Sequence, residues 1–265
     1  MNRVTVLLFL TLLLLSTCFT LQAQNEYKQI PFKPGEVLTF DMYFKYGLIN
    51  AKAGESSLSV TEGSYEGKDV LQLTLHAKSA GAAKAFMSVA DTLSAYMSKD
   101  LLPLAFIKNA HEGKDYTYEE AIYQYTSDKI KVQTKRIRNE IPRFDTTLVS
   151  QHKIYDMVSI LYYARTLDYA SLEKGEKLTV SYLSGKRMET MDVKYHGLET
   201  IKANDGREYY CIKLTMLLNE NAFEDKNEAM QVYITNDQNR VPIRIDSKLK
   251  KGSTRIILKA YKGVG

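Results

Sequence analysis

The sequence predicts an all-β, mainly antiparallel protein. Its sheet is expected to be large and strongly curved or rolled, part-closed and barrel-like, with one central helix at about 153–168 packed on it. Three observations carry this reading. Apolar and polar residues alternate with a period of two along most of the chain, the signature of half-buried strands. Roughly a dozen such segments are joined mostly by short turn signals. A flat open sheet of that size is unusual, because strand twist makes large sheets curl or split.

The chain opens on a different pattern. Arg3 precedes Val4–Leu15, which is apolar apart from Thr5 and Thr11. A short basic head, an apolar run of about 7–15 residues and a small-residue exit make a secretory leader. A spanning helix needs about 20 apolar residues, which Val4–Leu21 approaches only by counting Ser16, Thr17 and Thr20. Cys18 raises the alternative of lipid attachment. However, cleavage before a lipid-bearing cysteine normally follows a very small residue, and Thr17 precedes it here. Ala23 offers a better exit, so residues 1–23 are expected to be removed, leaving 24–265 as a single β-rich domain. The implied address is the periplasm, with an outer-membrane lipoprotein through Cys18 or an extracellular protein as alternatives.

The strands follow in order. Leu38, Phe40, Met42, Phe44 and Tyr46 share one face. The segment from Gly54 reads as a strand ending in a polar hairpin within "TEGSYEGKDV", residues 61–70, and Leu71, Leu73, Leu75 and Ala77 form the next apolar face. Alternation continues at Val89–Met97, Leu104–Ala110, Tyr116–Tyr125 and Ile130–Arg136. The segment 79–91 is expected to hold a second, short helical turn. At 152–172 the period changes, and Ile154, Met157, Val158, Leu161 and Ala164 fall at helical spacing with no Gly or Pro among them. Strands resume at Leu178–Leu183, Met188–Tyr195, Tyr209–Leu218, Met230–Thr235, Val241–Leu249 and Ile256–Tyr261, with turns at Asn204-Asp205-Gly206 and Lys251-Gly252. Tyr209–Leu218 is apolar on both faces, so something must cover its second face.

Composition excludes more than it selects. A chain of 265 residues can bury a sizeable core without staples. Cys211 is the one cysteine beyond the leader and is expected to be a buried small hydrophobe. The net charge of +5 is mostly lysine spread along the chain, with one basic cluster at 128–143. That cluster reads as a solvated strand face, or as a surface for anionic headgroups or acidic glycans, and nucleic acid is not an expected partner of an exported protein. His76, His111, His152 and His196 show no metal-ligand spacing, and no Cys-x-x-Cys, Gly-x-Ser-x-Gly elbow or phosphate-cradling glycine loop is present. No cofactor, metal or catalytic set is therefore expected. Tryptophan is absent while tyrosine numbers 19, which favours strand structure or a Tyr-lined groove.

Several short patterns stand together: Pro34-Gly35-Glu36 and Ala53-Gly54 at the first two strands, then Asp91 and Pro103, then Asp156, Ser159 and Arg165 in "YDMVSILYYAR". The last is "VYITNDQNRVPIRIDSKLKKGSTRIIL", with Asp237, Arg240, Pro242, Arg244 and Gly252. In this order they resemble the exported bacterial family of domain of unknown function 3108, over about residues 30–262. The resemblance implies an envelope protein of Bacteroidetes or Proteobacteria, built as a curled antiparallel sheet with some likeness to half-barrels that carry lipoproteins. It transfers no catalytic residue.

Within it, Asp156 suits the positive end of a helix and Arg165 the negative end, and Arg165 could pair with Asp91 or Asp237. Asn236–Asn239 reads as a polar turn and Pro242 as an edge or bulge. The candidate ligand-binding residues are Tyr162, Arg165, Asp237, Arg240 and Arg244. The expected function is non-enzymatic: binding, carriage or assembly of a lipid, a glycan or another envelope protein. The alternatives are a hydrolase of envelope polysaccharide, or a structural component of a surface complex.

Overall fold

The structure, a computed structural model, describes residues 30–81, 84, 88–218, 230–250 and 252–264. The leader and Cys18 lie outside the described residues, as do 82, 83 and 85–87 of the expected helical turn at 79–91, which is flanked by strands ending at Ser79 and starting at Val89.

The chain enters through a tight turn at Lys33-Pro34-Gly35-Glu36. Pro presets the second position, and Gly35 takes φ +92 at the third, where a side chain would be strained. Eight strands then meander: β1 (Val37–Tyr46), β2 (Ile49–Tyr65), β3 (Lys68–Ser79), β4 (Val89–Met97), β5 (Pro103–Glu112), β6 (Asp115–Tyr125), β7 (Ile130–Arg138) and β8 (Ile141–Ser150). A two-residue strand β9 (Ile154–Tyr155) and the helix α1 (Ser159–Arg165) follow. A second meander completes the chain: β10 (Lys177–Ser184), β11 (Arg187–Lys202), β12 (Glu208–Leu218), β13 (Met230–Thr235), β14 (Pro242–Lys248) and β15 (Ser253–Lys262).

All of them belong to one 15-stranded sheet in which β1 pairs with β15, so the two meanders join at the middle. Every pairing is antiparallel except the short β9·β10 contact. The outer strands β8 and β9 share no ladder, but the sheet rolls until Thr134 Oγ1 on β7 donates to the carbonyl of Gly185 in the β10–β11 turn at 3.2 Å. The roll is therefore a nearly closed barrel. Two-residue hairpins at Glu66-Gly67 and Asn139-Glu140 have positive φ at both central positions, the twist that suits adjoining strands.

The core lies inside the roll. Leu38 and Phe40 on β1, Val60 on β2, Leu73 on β3, Met97 on β4, Phe106 on β5 and Val132 on β7 meet Val193, Leu214, Val232 and Leu258 from the second meander. Alternation thus does what the sequence requires, with one set of side chains inward and its complement outward. Cys211, on the other face of β12, is fully buried between its ladder partners Glu199 and Thr235. Burial pushes its thiol up to about 12, which keeps it protonated.

Three expectations need correction. The helix is shorter than 153–168, because Ile154–Tyr155 pair with Ser181–Tyr182 as a strand and α1 begins only at Ser159. Its buried face also differs: Met157 is exposed and Leu161 half-buried, while Ile160, Tyr162 and Arg165 are buried. A helix enclosed by a roll is covered on more sides than one stripe. The segment 141–150 was given no strand, yet forms β8. Its turn lacks glycine, Pro142 lies within it, and as an edge strand it alternates only between exposed and half-buried.

Gly54 sits where β1, β2 and β3 crowd at the register shift between Met42 and Tyr43. A Cβ there would collide with the Lys78 carbonyl and lie 2.8 Å from Met42 Cε. Gly54→Ala is expected to cost about 1–3 kcal/mol through overpacking, measured by urea unfolding. An unchanged midpoint would contradict this packing.

Candidate functional site

The expected site residues fall in two places. Four gather at one end of the roll, where the chain entry, α1 and the β13–β14 turn converge. Arg165 is almost fully buried, and its guanidinium forks onto Glu36, at 2.6 Å to Oε1 and 2.8 Å to Oε2. Its Nη2 also donates to the carbonyls of Pro31, at 2.9 Å, and Asn239, at 2.8 Å. Phe32 and Tyr162 flank the guanidinium, with their ring centres 5.3 and 5.5 Å from Cζ. The expected partners Asp91 and Asp237 are not used. Asp91 Oδ1 accepts from the His111 amide, and Asp237 Oδ1 accepts from Thr235 Oγ1 and the amides of Asn239 and Arg240. Arg240, at φ 48, reaches Asn236 Oδ1 at 3.2 Å. Breaking a buried pair like Glu36–Arg165 from one side costs about 3–5 kcal/mol, because a charge is left stranded.

Asp156 organises the approach to α1. Its Oδ1 accepts from the amides of Val158 and Ser159, both at 2.9 Å. Its Oδ2 accepts from Ser159 Oγ, which in turn accepts the Asp156 amide. These bonds close the turn that leads into α1, whose own N-cap position, Val158, has no side-chain cap. Burial nevertheless outweighs these hydrogen bonds and pushes the carboxyl up to about 6.

Arg244 stands apart, on the outer face of the roll. Its Nη2 meets Asp246 Oδ2 at 2.5 Å and its Cζ lies 5.5 Å from the Tyr233 ring centre. From the other side Arg255 Nε donates to Asp246 Oδ1 at 2.8 Å, so the carboxylate is clamped between two guanidinium groups. Beside this clamp runs a groove of 540 Å³, within the usual range of ligand pockets, whose lining includes Tyr43, Asn204, Gln231, Asp246 and Arg255, with Lys45 and Lys248 beside them. Asn204, in the β11–β12 turn, folds over the face and donates through Nδ2 to Asp41 Oδ2, at 2.8 Å, and Tyr43 Oη, at 3.1 Å. The sequence reading missed this groove. Its residues come from β1, β13, β14, β15 and a distant turn, and only the registers Tyr43↔Arg255, Arg255↔Asp246 and Gln231↔Asp246 put them in one row.

A second groove, of 520 Å³, lies across β1–β4 and is lined by both Glu55 and Asp91, with His76 and Lys78. Hydrogen bonds from Lys259 and Lys52 hold the Glu55 carboxyl down at about 2. Burial, with help from Glu112, raises that of Asp91. His76 Nδ1 is 3.0 Å from Thr92 Oγ1. The basic cluster at 128–143 lies on β7 and β8, where Lys135, Arg136 and Arg138 are answered across the ladder by Glu120, Glu119 and Asp115 on β6.

Fold and grooves together define a single-sheet, barrel-like β protein. The family described as protein of unknown function DUF3108 matches residues 31–259, and the chain belongs to it. No curated protein matches the chain. Among solved structures, it is similar to a beta-barrel-like protein of domain of unknown function DUF1849 from Brucella abortus, with a TM-score of 0.59 and 8% identity over 86% of this chain and 96% of that one. That likeness shows the fold alone. A Bacteroides fragilis protein with a YmcC-like fold matches at TM-score 0.34, 11% identity and 88% and 98% coverage. A Parabacteroides distasonis protein matches at TM-score 0.32, 10% identity and the same coverages.

The raised Asp156 carboxyl has a consequence for stability. Its ordinary value is 3.8 and its folded value about 6, so between these pH values the folded state keeps a proton that the unfolded state has lost. Stability from this group is present below about pH 4 and is withdrawn as pH rises through 6, by about 3 kcal/mol in all. Asp156→Asn, which keeps an acceptor for the two amides, is expected to gain about that much on the parent between pH 4 and pH 7, followed by urea unfolding. A difference independent of pH would refute the buried, protonated carboxyl.

Proposed function

We propose that the chain is an exported, periplasmic, non-enzymatic binding or assembly protein of the cell envelope, and that it holds a glycan in the outer groove beside Asp246. Export rests on the leader pattern of residues 1–23. One observation carries the choice of ligand: the groove combines side-chain amides with a carboxylate held between two arginines, and Lys45 and Lys248 add positive charge to its lining. A polyhydroxylated ligand with anionic substituents needs donors and acceptors in close alternation, which Asn204, Gln231, Asp246 and Arg255 offer, and cations beside them. Tyr43 adds an aromatic face. A lipid held inside the roll is less well supported, because side chains from both meanders fill the interior. The candidate Arg244 retains a role here by orienting Asp246, whereas Arg165, Tyr162, Asp237 and Arg240 serve the far end of the roll.

Calorimetric titration with peptidoglycan fragments and lipopolysaccharide core oligosaccharides tests the reading. Binding is expected, weakened about tenfold or more by Gln231→Ala or Asp246→Asn. If no oligosaccharide binds, or the variants bind equally well, the groove is not the site.

A further inference from the structure

The β1–β2 hairpin ends in side chains that a folded surface does not usually leave bare. Phe44 and Tyr46 are 37% and 56% exposed, and Leu48, beside Gly47 at the tip, is 104% exposed. The β14–β15 turn lies against it: Lys45 is paired with Ser253, and Gly252 sits so close to the Lys45 carbonyl and the Phe44 ring that a Cβ would not fit. That turn carries Lys248, Leu249 and Lys250. Lys45 and Lys248 both neighbour Ser253, one on each side, so they point from the same face. Among the described residues neither of them, nor Lys250, has a carboxylate partner, and Asp246 is occupied by Arg244 and Arg255. The result is an apolar finger flanked by unpaired lysines, at the end of the roll opposite α1.

We propose that this tip docks the protein on an anionic lipid bilayer, with Leu48, Tyr46 and Phe44 entering the headgroup boundary and Lys45, Lys248 and Lys250 resting on lipid phosphates. Two features select a bilayer over a protein surface. Lysines around exposed apolar and aromatic side chains match the boundary between acyl chains and anionic headgroups. The finger also presents three side chains only, far short of the roughly 1,200–2,000 Å² that a specific protein interface buries, whereas a bilayer closes around a small wedge. The tip shares Lys45 and Lys248 with the groove proposed for the glycan, so the two readings are told apart at Leu48, which does not line that groove, and by the probe, vesicles for the one and oligosaccharides for the other.

The chain has no tryptophan, so Leu48→Trp makes the tip the sole indole reporter. With equimolar phosphatidylglycerol and phosphatidylcholine vesicles its emission is expected to shift to the blue, with no shift on phosphatidylcholine alone. Tyr210→Trp, exposed at the opposite end of β12, is expected to stay unchanged. Replacing Lys45, Lys248 and Lys250 together by Ser is expected to weaken co-sedimentation with the anionic vesicles about a hundredfold, and Leu48→Asp about tenfold or more. The apolar leader would bind both vesicle types alike, so charge dependence and local emission isolate the tip. An unshifted Leu48→Trp emission, equal binding to both vesicles, or full binding by the lysine variant overturns the proposal. Self-association abolished by Leu48→Asp in sedimentation velocity, without vesicle binding, also overturns it and assigns the finger to a second copy.

Discussion

The Glu36–Arg165 pair is the contact on which the closed end of the roll depends. Three parts of the chain that share no ladder meet there: the entry turn before β1, the helix between the two meanders, and the β13–β14 turn. Burying two charges costs several kcal/mol per ion, recovered only if the geometry is good and the remaining protons find acceptors. The fork onto both Glu36 oxygens and the carbonyls of Pro31 and Asn239 meet that condition at Nη1 and Nη2, while Nε finds no acceptor, and the Phe32 and Tyr162 rings supply the flanking faces. A hydrophobic contact in the same place would hold the three parts with less directionality. The fork fixes their relative positions.

That anchoring lets one sheet serve as a whole protein. A long meander gives only neighbour-to-neighbour ladders, so nothing in the pairing itself forces the two ends of the sheet together. Closure comes from the twist, from inward side chains contributed by both meanders, and from α1 filling the helix end. The outer face is then free of packing duties over much of its area, and it holds the groove beside Asp246 and the Lys135–Glu120 pair of β6 and β7. Register shifts in β1, β11 and β13 bend these strands locally and make room for concave places on a surface that would be convex in a regular cylinder.

The match between sequence and structure divides along the same line. Most strands and the turns at Asn204–Gly206 and Gly252 are legible, because period-two burial and positive-φ turns are local properties. Even Pro34-Gly35 and Gly54 are readable as constraints once the turn and the crowding are seen. The ends of α1 were misjudged, because Ile154 and Tyr155 form a strand only through β10, which comes later in the chain. Strand β8 escaped notice because an edge strand has one neighbour and weak alternation. Arg165 was recognised as a residue in need of a carboxylate. Its partner could not be chosen, since Glu36 lies at a sequence separation of 129 while Asp91 and Asp237 were equally plausible by type.

What the sequence determined by itself is therefore the β class, the position and order of most strands, the inward-facing residues and the need for a roll. Each follows from the alternation of neighbouring side chains and from strand twist, which act over a few residues. The tertiary structure alone decided that β1 joins β15, that Glu36 answers Arg165, and that Tyr43, Asn204, Gln231, Asp246 and Arg255 share a groove. Those are meetings between segments far apart in the chain, and only the register of the closed sheet specifies which side chains come within reach of one another.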